Sequence, residues 1–470
     1  MRFEENTFYQ DNEIKLKVQR YEQMKREKVS LYFDVHEFED IIDFYLGNNS
    51  IGSASEAVRF GLDQHPSSMA IQMREAQVLT DRGKISQSLK ILWKLSSIER
   101  SNHEVFLLLG TVLNIKGDHK QAIENFDRAL SLNPEDKDEV ASHIGISLQN
   151  RERFIDAIKY FKLALKLNPN RFINLYEQAY CNEKLGRYSK AESYYKAYLD
   201  KEPYAEIGWY SLGVVRSGME KYRESIDAYD YALAINDKNT ATLFNKANIL
   251  FLLKQYQDAA DVYTELLEIE PDNINGLLYI AECYEELGLF DKAEHYLKEA
   301  QLVKPDSADA FYGMGLLSMK KNDVRESRRF IRKAISLDNE NPEFWFALSR
   351  SYQLDKRYES ATNAIDKTLE LDPFSQDYWV EKAYLESLNG KLKSAIATLK
   401  KSFSYIPENA QVHYKLGILL LKTFSFEKGL SHIEEGLILD YELSKEVFET
   451  EKKIFYSKEV QSLLSKHKKL

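Results

Sequence analysis

Two histidine–glutamate pairs are the residues of this sequence that come nearest to a catalytic motif. His36-Glu37 and His103-Glu104 match the start of H-E-x-x-H, in which two histidines one helical turn apart bind zinc and the glutamate acts as a base. The fifth positions hold Asp40 and Leu107, so neither pair supplies the second histidine. The other histidines show no ligand spacing, and we expect no metal site.

A glycine-rich stretch and two cysteines are the remaining signals of chemistry. The sequence GMGLLS, Gly313 to Ser318, resembles the start of a nucleotide-binding loop but lacks the final glycine. Cys181 and Cys283 lie in no nucleophile signature and are too few for a disulfide framework. The sequence therefore predicts no catalytic residue, no bound cofactor and a chain that is not an enzyme.

Length and composition predict an ordered protein whose main partner is not a nucleic acid. The chain has 470 residues, of which 44% are apolar and 29% charged, and its formal net charge is −10. Phosphate backbones require a concentrated basic face, which this balance opposes. The sequence contains neither an apolar run of roughly 18–20 residues, as a membrane helix needs, nor the apolar core of a secretory signal. We expect a cytoplasmic protein without membrane insertion.

The prolines reveal an internal repeat. Eight of the nine prolines are separated by 34, 35 or 68 residues, from Pro66 to Pro407. A fixed period of this length is typical of a solenoid built from two-helix units. With the proline as position 32 and Lys137 as an insertion, the sequence predicts twelve units: 35–68, 69–102, 103–136, 138–171, 172–205, 206–239, 240–273, 274–307, 308–341, 342–375, 376–409 and 410–443.

Positions that were not used to define the period support it. Position 20 is Ala, Ser or Gly in all twelve units, and position 8 is Gly or Ala in ten of them. Such small residues are expected where two helices cross closely. Position 15 holds Gly117, Gly186, Gly288 and Gly390, which suit a turn between the two helices because glycine lacks a Cβ atom.

The repeat resembles the tetratricopeptide repeat (TPR). Its W-x2-L-G-x2-Y, A-x3-F and P pattern is met most fully by FLLLGTVLNIKGDHKQAIENFDRALSLNP, and the resemblance runs from Val35 to Leu443. Arg100, Asp237, Asn339 and Tyr441 depart from it by replacing the proline. The resemblance implies an all-α fold, an α-solenoid forming a right-handed superhelix. We expect helical caps at its ends, from an N-terminal extension, 1–34, and a Lys-rich segment, 444–470.

The resemblance also implies where a ligand binds. In this family the first helix of each unit lines a concave face, into which positions 2, 5, 9 and 12 point. With position 6 of one unit, these positions predict partner-binding residues: Tyr176, Tyr180, Tyr210, Phe244, Asn245, Asn248, Glu282, Tyr312, Phe346, Arg350 and Tyr384. Aromatic anchors suit an extended peptide or a partner helix, although the same rings would also pack against neighbouring helices. Acidic residues on this face, among them Asp43, Glu139, Glu183 and Glu285, favour a neutral or basic ligand.

Two asparagines and a missing lysine refine the expected ligand. Asn245 and Asn248 stand where, in peptide-binding relatives, asparagines hydrogen-bond the ligand backbone. Binders of chaperone tails also carry a lysine at position 5, which clamps a terminal carboxylate. No unit here has that lysine, so heat-shock chaperone binding is not expected.

The expected function is that of a non-catalytic scaffold or adaptor that holds a partner protein or peptide along the aromatic-rich groove. Two alternatives stay open. A regulatory subunit of an enzyme complex would need a catalytic partner chain. An RNA-binding helical array would show strongly salt-dependent binding.

Overall fold

The described part of the chain consists of helices joined by short turns. The structure, a computed structural model, describes residues 2–132, 135–449 and 451–468, and only the backbone of residues 2–12. Pro134, the position-32 proline of the third predicted unit, lies outside the described residues. Contacts between residues divide the chain into two compact units, 1–237 and 238–470.

In the N-terminal unit, helices that follow one another in sequence pack against each other. The helices are α1 (Arg2–Glu27), α2 (Val35–Gly47), α3 (Ile51–Gln64), α4 (Met69–Asp81), α5 (Ile85–Ile98), α6 (His103–Lys116), α7 (His119–Leu132), α8 (Lys137–Gln149), α9 (Phe154–Leu167), α10 (Ile173–Lys184), α11 (Tyr188–Leu199), α12 (Glu206–Gly218) and α13 (Tyr222–Ile235). The Asp34–Glu37 pair forms the capping box at the start of α2 that the sequence motif indicates.

The C-terminal unit continues the same alternation and ends in three shorter helices. Its helices are α14 (Thr240–Leu252), α15 (Tyr256–Ile269), α16 (Ile274–Glu286), α17 (Phe290–Val303), α18 (Ala308–Lys320), α19 (Val324–Leu337), α20 (Pro342–Leu354), α21 (Tyr358–Leu371), α22 (Gln376–Leu388), α23 (Leu392–Ser402), α24 (Ala410–Lys422), α25 (Phe426–Leu439), α26 (Leu443–Glu449), α27 (Lys452–Phe455) and α28 (Lys458–His467). Val447, Phe448, Val460 and Leu464 of the last helices are buried against Tyr414 and Ile433.

Small residues lie where paired helices cross, as the sequence predicts. A Cβ atom on Gly213 would lie 2.4 Å from the Tyr229 ring, and one on Gly315 would lie 2.5 Å from Ile331. Real Cβ atoms do not approach other atoms so closely, so a larger residue at either position would require the facing side chain or its helix to shift. Ala157 and Ala293, at position 20, are fully buried. Close helix contact therefore accounts for the period of small residues.

The turn within each helix pair adopts a left-handed backbone. The twelve residues at position 15 all have φ between 53° and 91°: Asn49, Gly83, Gly117, Glu152, Gly186, Glu220, Lys254, Gly288, Asn322, Lys356, Gly390 and Phe424. The prediction for the four glycines at this position is confirmed. The backbone demands this conformation even where the side chain opposes it.

Candidate functional site

A pocket of about 900 Å³ lies within the C-terminal unit, between the first helices α16, α18 and α20. Tyr279 and Tyr312 contribute aromatic surface, and Leu278 and Leu316 contribute aliphatic surface. Carboxylates dominate its charged lining: Glu282, Glu285, Glu286, Asp309 and Glu343, against Lys320 and Arg350. The walls thus combine apolar surface with a negative excess. We call this feature the acidic pocket.

Local capping fixes where each of the three helices starts. The side chain of Asn273 accepts a hydrogen bond from the Gly276 amide at 2.9 Å, and Ser307 accepts one from Ala310 at 3.2 Å. Asn341 caps α20 in the same way, with Pro342 in its first turn. Each cap sets the register of the helix that follows it. Asp309 and Glu343 consequently fall in first turns, and Glu282 and Arg350 lie two turns further on.

Part of the charge in the acidic pocket is neutralised inside the protein. Lys320 Nζ lies 3.0 Å from Glu285 Oε1 and 2.6 Å from Glu286 Oε1. In the part of the chain that the structure describes, Glu282, Asp309 and Glu343 form no ion pair, and neither does Arg350. Three carboxylates and one guanidinium of the lining are therefore available to a ligand.

The surroundings of the acidic pocket raise the pKa of two of its carboxyl groups. Partial desolvation by the pocket wall, together with the neighbouring carboxylates Glu285 and Glu286, raises the pKa of Glu282, although its side chain remains accessible to solvent. Burial also raises the pKa of Glu285, although its contact with Lys320 opposes the shift. A cation bound beside these two carboxylates would stabilise their charged forms, because it would replace the hydration that the pocket wall removes. The walls therefore favour a positively charged group over a negative one.

Tyr312 lies at the centre of these charges. Its ring is half-buried, with its centroid 4.8 Å from that of Phe344. Burial raises the pKa of Tyr312 to about 12, with Glu343 adding to the shift and Arg350 opposing it. The phenol hydroxyl stays protonated at neutral pH, so it can both donate and accept a hydrogen bond.

Only some of the predicted partner-binding residues of the C-terminal unit share this pocket. Glu282, Tyr312 and Arg350 line it together. Phe244 packs edge-on against Tyr279 with a centroid distance of 5.5 Å, and Phe346 packs against Tyr378 at 5.0 Å. Tyr384 is exposed and is not part of the pocket lining. The packing alternative left open by the sequence thus applies to Phe244 and Phe346 at least in part.

Of the two asparagines on α14, Asn248 has a hydrogen-bond partner within the protein. Asn248 Oδ1 accepts a hydrogen bond from the Tyr263 hydroxyl at 2.5 Å, so its carbonyl already has a partner. Asn245 is half-buried on the same helix, α14. The backbone-binding role implied for both residues stays a prediction.

In the N-terminal unit, the three predicted tyrosines pack among other side chains. Tyr176 lies between Tyr195 and Tyr198, with centroid distances of 5.4 and 5.7 Å. Lys184 Nζ lies 5.0 Å from the centroid of the Tyr180 ring. Tyr210 packs 6.2 Å from Tyr229. All three rings remain half-buried and so retain some surface that a ligand could contact.

Sequence reasoning missed several residues of the acidic pocket, although a signal for most of them was present. Asp309 and Glu343 occupy position 2, and Gln353 occupies position 12, both of which are expected to point towards the ligand. Tyr279 occupies position 6 and gave no signal under that rule. Its place in the pocket depends on packing beside Phe244 and Tyr263, which sequence spacing does not specify.

Three family models, each described as a tetratricopeptide repeat, match the chain. One covers residues 250–317, the second covers 144–206 and 210–274, and the third covers 103–136 and 308–341. These matches agree with the paired helices and their small crossing residues. The chain is a multi-repeat TPR protein.

Curated relatives of this TPR protein are similar over part of their length. The protein CTR9 homolog of Arabidopsis thaliana is 23% identical over 367 residues, which is 73% of this chain and 33% of the relative. Anaphase-promoting complex subunit 3 of Schizosaccharomyces pombe is 22% identical over 155 residues, 32% of this chain and 22% of the relative. The chain thus spans a third or less of the length of these two relatives.

Two solved structures have partial similarity to this chain. A TPR protein from Parabacteroides merdae has a TM-score of 0.46 and 21% identity, covering 53% of this chain and 98% of that one. Yeast Tom70 has a TM-score of 0.43 and 15% identity, covering 88% of this chain and 98% of Tom70.

Among the described residues, no group of three His, Cys, Asp or Glu side chains is placed to hold a metal ion. No described helix is both long and apolar enough to span a bilayer. Cys181 and Cys283 are buried and free, and burial raises the pKa of each thiol to about 12.

Proposed function

We propose that this TPR protein is a non-catalytic scaffold whose C-terminal unit binds a neutral or basic segment of a partner protein in the acidic pocket. The observation that carries the proposal is a set of carboxylates beside the aromatic surface of Tyr312 that form no ion pair with any described residue: Glu282, Asp309 and Glu343. We assign its work to the cytoplasm, where two free buried thiols persist. The twelve predicted units are the repeats of this scaffold.

The size and composition of the acidic pocket suit a few residues of an extended peptide. Pockets that hold small ligands measure roughly 300–1,000 Å³, and a volume of about 900 Å³ falls in that range. A Lys or Arg side chain would place its charge near Glu282 and its methylene groups against Tyr279 or Tyr312. Arg350 would remain to meet a backbone carbonyl group of the same peptide.

Fluorescence anisotropy with three labelled peptides of equal length, one basic, one neutral and one acidic, tests the proposal. We expect the basic peptide to bind most tightly and the acidic one least. The double variant Glu282→Gln/Glu343→Gln should weaken binding of the basic peptide by up to about fivefold per charge, since an exposed ion pair contributes ~0.2–1 kcal/mol. Tyr312→Ala should weaken both the basic and the neutral peptide.

A matched control separates the acidic pocket from the general negative charge of the protein. Glu265→Gln/Glu268→Gln removes two exposed carboxylates from α15, a helix that does not line the pocket. This variant should bind the basic peptide like the unaltered protein. Equal weakening by both double variants, or an acidic peptide that binds best, would reject the acidic pocket as the site.

A further inference from the structure

A second, smaller pocket lies at the end of the C-terminal unit, between α24, α25 and the last helices. It has a volume of about 340 Å³. Leu421, Phe426, Leu430 and Ile454 form its apolar surface, and the polar lining residues are Lys422, Lys453, Ser457 and Glu459. We call it the terminal pocket. The helices α27 and α28 come after the last predicted repeat unit, 410–443.

An exposed phenylalanine in an unfavourable conformation borders the terminal pocket. Phe424 has φ 60° and is 83% exposed, and its ring packs edge-on against Phe426, which is itself 58% exposed. At the other eleven position-15 residues, all of which the structure describes, the side chain is polar or absent. A bulky residue with a left-handed backbone lowers the stability of the fold, and the exposed ring of Phe424 does not offset this by burying apolar surface. A partner that covered Phe424 and Phe426 would recover that burial.

The rim of the terminal pocket carries more positive than negative charge. Lys422 is paired with Glu451 at 2.5 Å, whereas Lys452, Lys453 and Lys458 form no ion pair within the described residues. Glu459 is the opposing lining carboxylate, and Glu427 and Lys428 on α25 offset each other. The uncapped start of α28 adds further positive potential. This local excess contrasts with the net charge of −10 of the whole chain.

We propose that the terminal pocket binds an acidic segment of a partner protein through one aromatic or large aliphatic anchor residue. The anchor enters between Ile454 and Phe426, its acidic flanks lie along Lys452, Lys453 and Lys458, and Phe424 covers its outer edge. A volume of about 340 Å³ accommodates one large side chain rather than a folded element. This site differs from the acidic pocket in both place and charge preference, so it does not depend on that proposal.

The test uses the full chain and a fluorescein-labelled peptide of alanine and glutamate with one central tryptophan. We expect saturable binding, which is lost when the tryptophan is replaced by alanine or the glutamates by lysine. Lys453→Glu should weaken binding about tenfold. Ile454→Lys should abolish binding although it adds a positive charge, because it occupies the place of the anchor.

Phe424→Gly should change stability and peptide affinity in opposite directions, which a purely structural role of Phe424 would not produce. Glycine relieves the left-handed backbone, so the melting temperature should rise while peptide affinity falls severalfold. Lys391→Glu and Phe374→Ala, which alter an exposed lysine and an exposed phenylalanine elsewhere in the unit, should leave binding unchanged.

Three results would overturn the proposal. The first is absence of peptide binding to the intact chain, and the second is equal binding by all the variants. The third is a dimer of the intact chain, seen by sedimentation, that Ile454→Lys dissociates while the peptide fails to compete. That result would assign the terminal pocket to a second copy of the chain.

Discussion

The side chain of Asn248 supports a buried tyrosine, which changes how its substitution must be interpreted. Tyr263 is fully buried, and its hydroxyl donates to Asn248. Asn248→Ala leaves that hydroxyl without its partner, and we expect a loss of about 1–3 kcal/mol in the free energy of unfolding, measured by urea denaturation. Adding Tyr263→Phe should restore most of the loss. An unchanged midpoint for Asn248→Ala would show that the residue is free to serve a ligand.

Glu282 should make both stability and peptide binding depend on pH. Its pKa is raised in the folded protein, so the carboxylate disfavours the folded state above that pKa, and this penalty disappears as the pH falls through it. Because the side chain is exposed to solvent, which screens this penalty, Glu282→Gln should raise the melting temperature only slightly at neutral pH, and it should have no effect near pH 4, close to the ordinary glutamate pKa.

Binding of the basic peptide should weaken at low pH, where the penalty on stability is removed. Protonation of Glu282 and Glu285 removes negative charge from the acidic pocket, so affinity should fall as the pH is lowered from neutral through their raised pKa values. Anisotropy titrations across this range check the expectation. In Glu282→Gln the pH dependence should be shallower, and an identical slope would argue that other carboxylates control binding.

Helix α1 packs against the first helix pair, α2 and α3, through both apolar contacts and ion pairs. Tyr21 is fully buried among Phe33, Phe38, Tyr45 and Phe60, with centroid distances between 6.0 and 6.4 Å. Three ion pairs surround this contact: Lys17–Asp40, Arg20–Glu37 and Lys25–Glu56. The helix thereby covers apolar surface that the first pair would otherwise expose, which is the role of a cap in a repeat array.

Tyr21 allows this capping role to be tested with a matched pair of substitutions. Tyr21→Ala should lower the free energy of unfolding by about 3–5 kcal/mol, because it empties a site enclosed by four rings. The Tyr21 hydroxyl has no hydrogen-bond partner among the described residues, so Tyr21→Phe should leave stability unchanged or slightly higher. Thermal unfolding measures both. A small effect of Tyr21→Ala would mean that α1 adds little to the N-terminal unit.

The helices were predictable from the sequence, whereas the left-handed turns at the seven position-15 residues that are not glycine were not. Small residues at position 20, such as Ala157, indicate a helix crossing in the sequence, because no large residue fits there. The left-handed turn is visible in the sequence only where glycine occupies it, as at Gly288. Glu152, Glu220 and Lys254 adopt the same backbone without a local preference for it, since the two packed helices impose the conformation.

Charge distinguishes the two candidate sites and could be foreseen only in part. The net charge of −10 and the glutamates at positions 9 and 12 predicted an acidic ligand-facing surface, and Glu282 and Glu285 line the acidic pocket. The Lys-rich composition of 444–470 was visible too. The sequence could not show that Leu421, Phe426 and Ile454 meet beside those lysines, because their contact requires α27 and α28 to fold back onto α25.

The same charge balance separates a protein scaffold from an RNA-binding array. Attraction between the acidic pocket and a basic peptide is screened by salt, so affinity should fall as sodium chloride rises from about 0.05 to about 0.5 M. Labelled single-stranded RNA should show no binding at the low end of that range, where phosphate contacts are strongest. Anisotropy measures both probes on the same preparation. RNA binding that weakens steeply with salt would favour the nucleic-acid alternative, and a basic peptide insensitive to salt would show that apolar contacts with Tyr279 and Tyr312 dominate recognition.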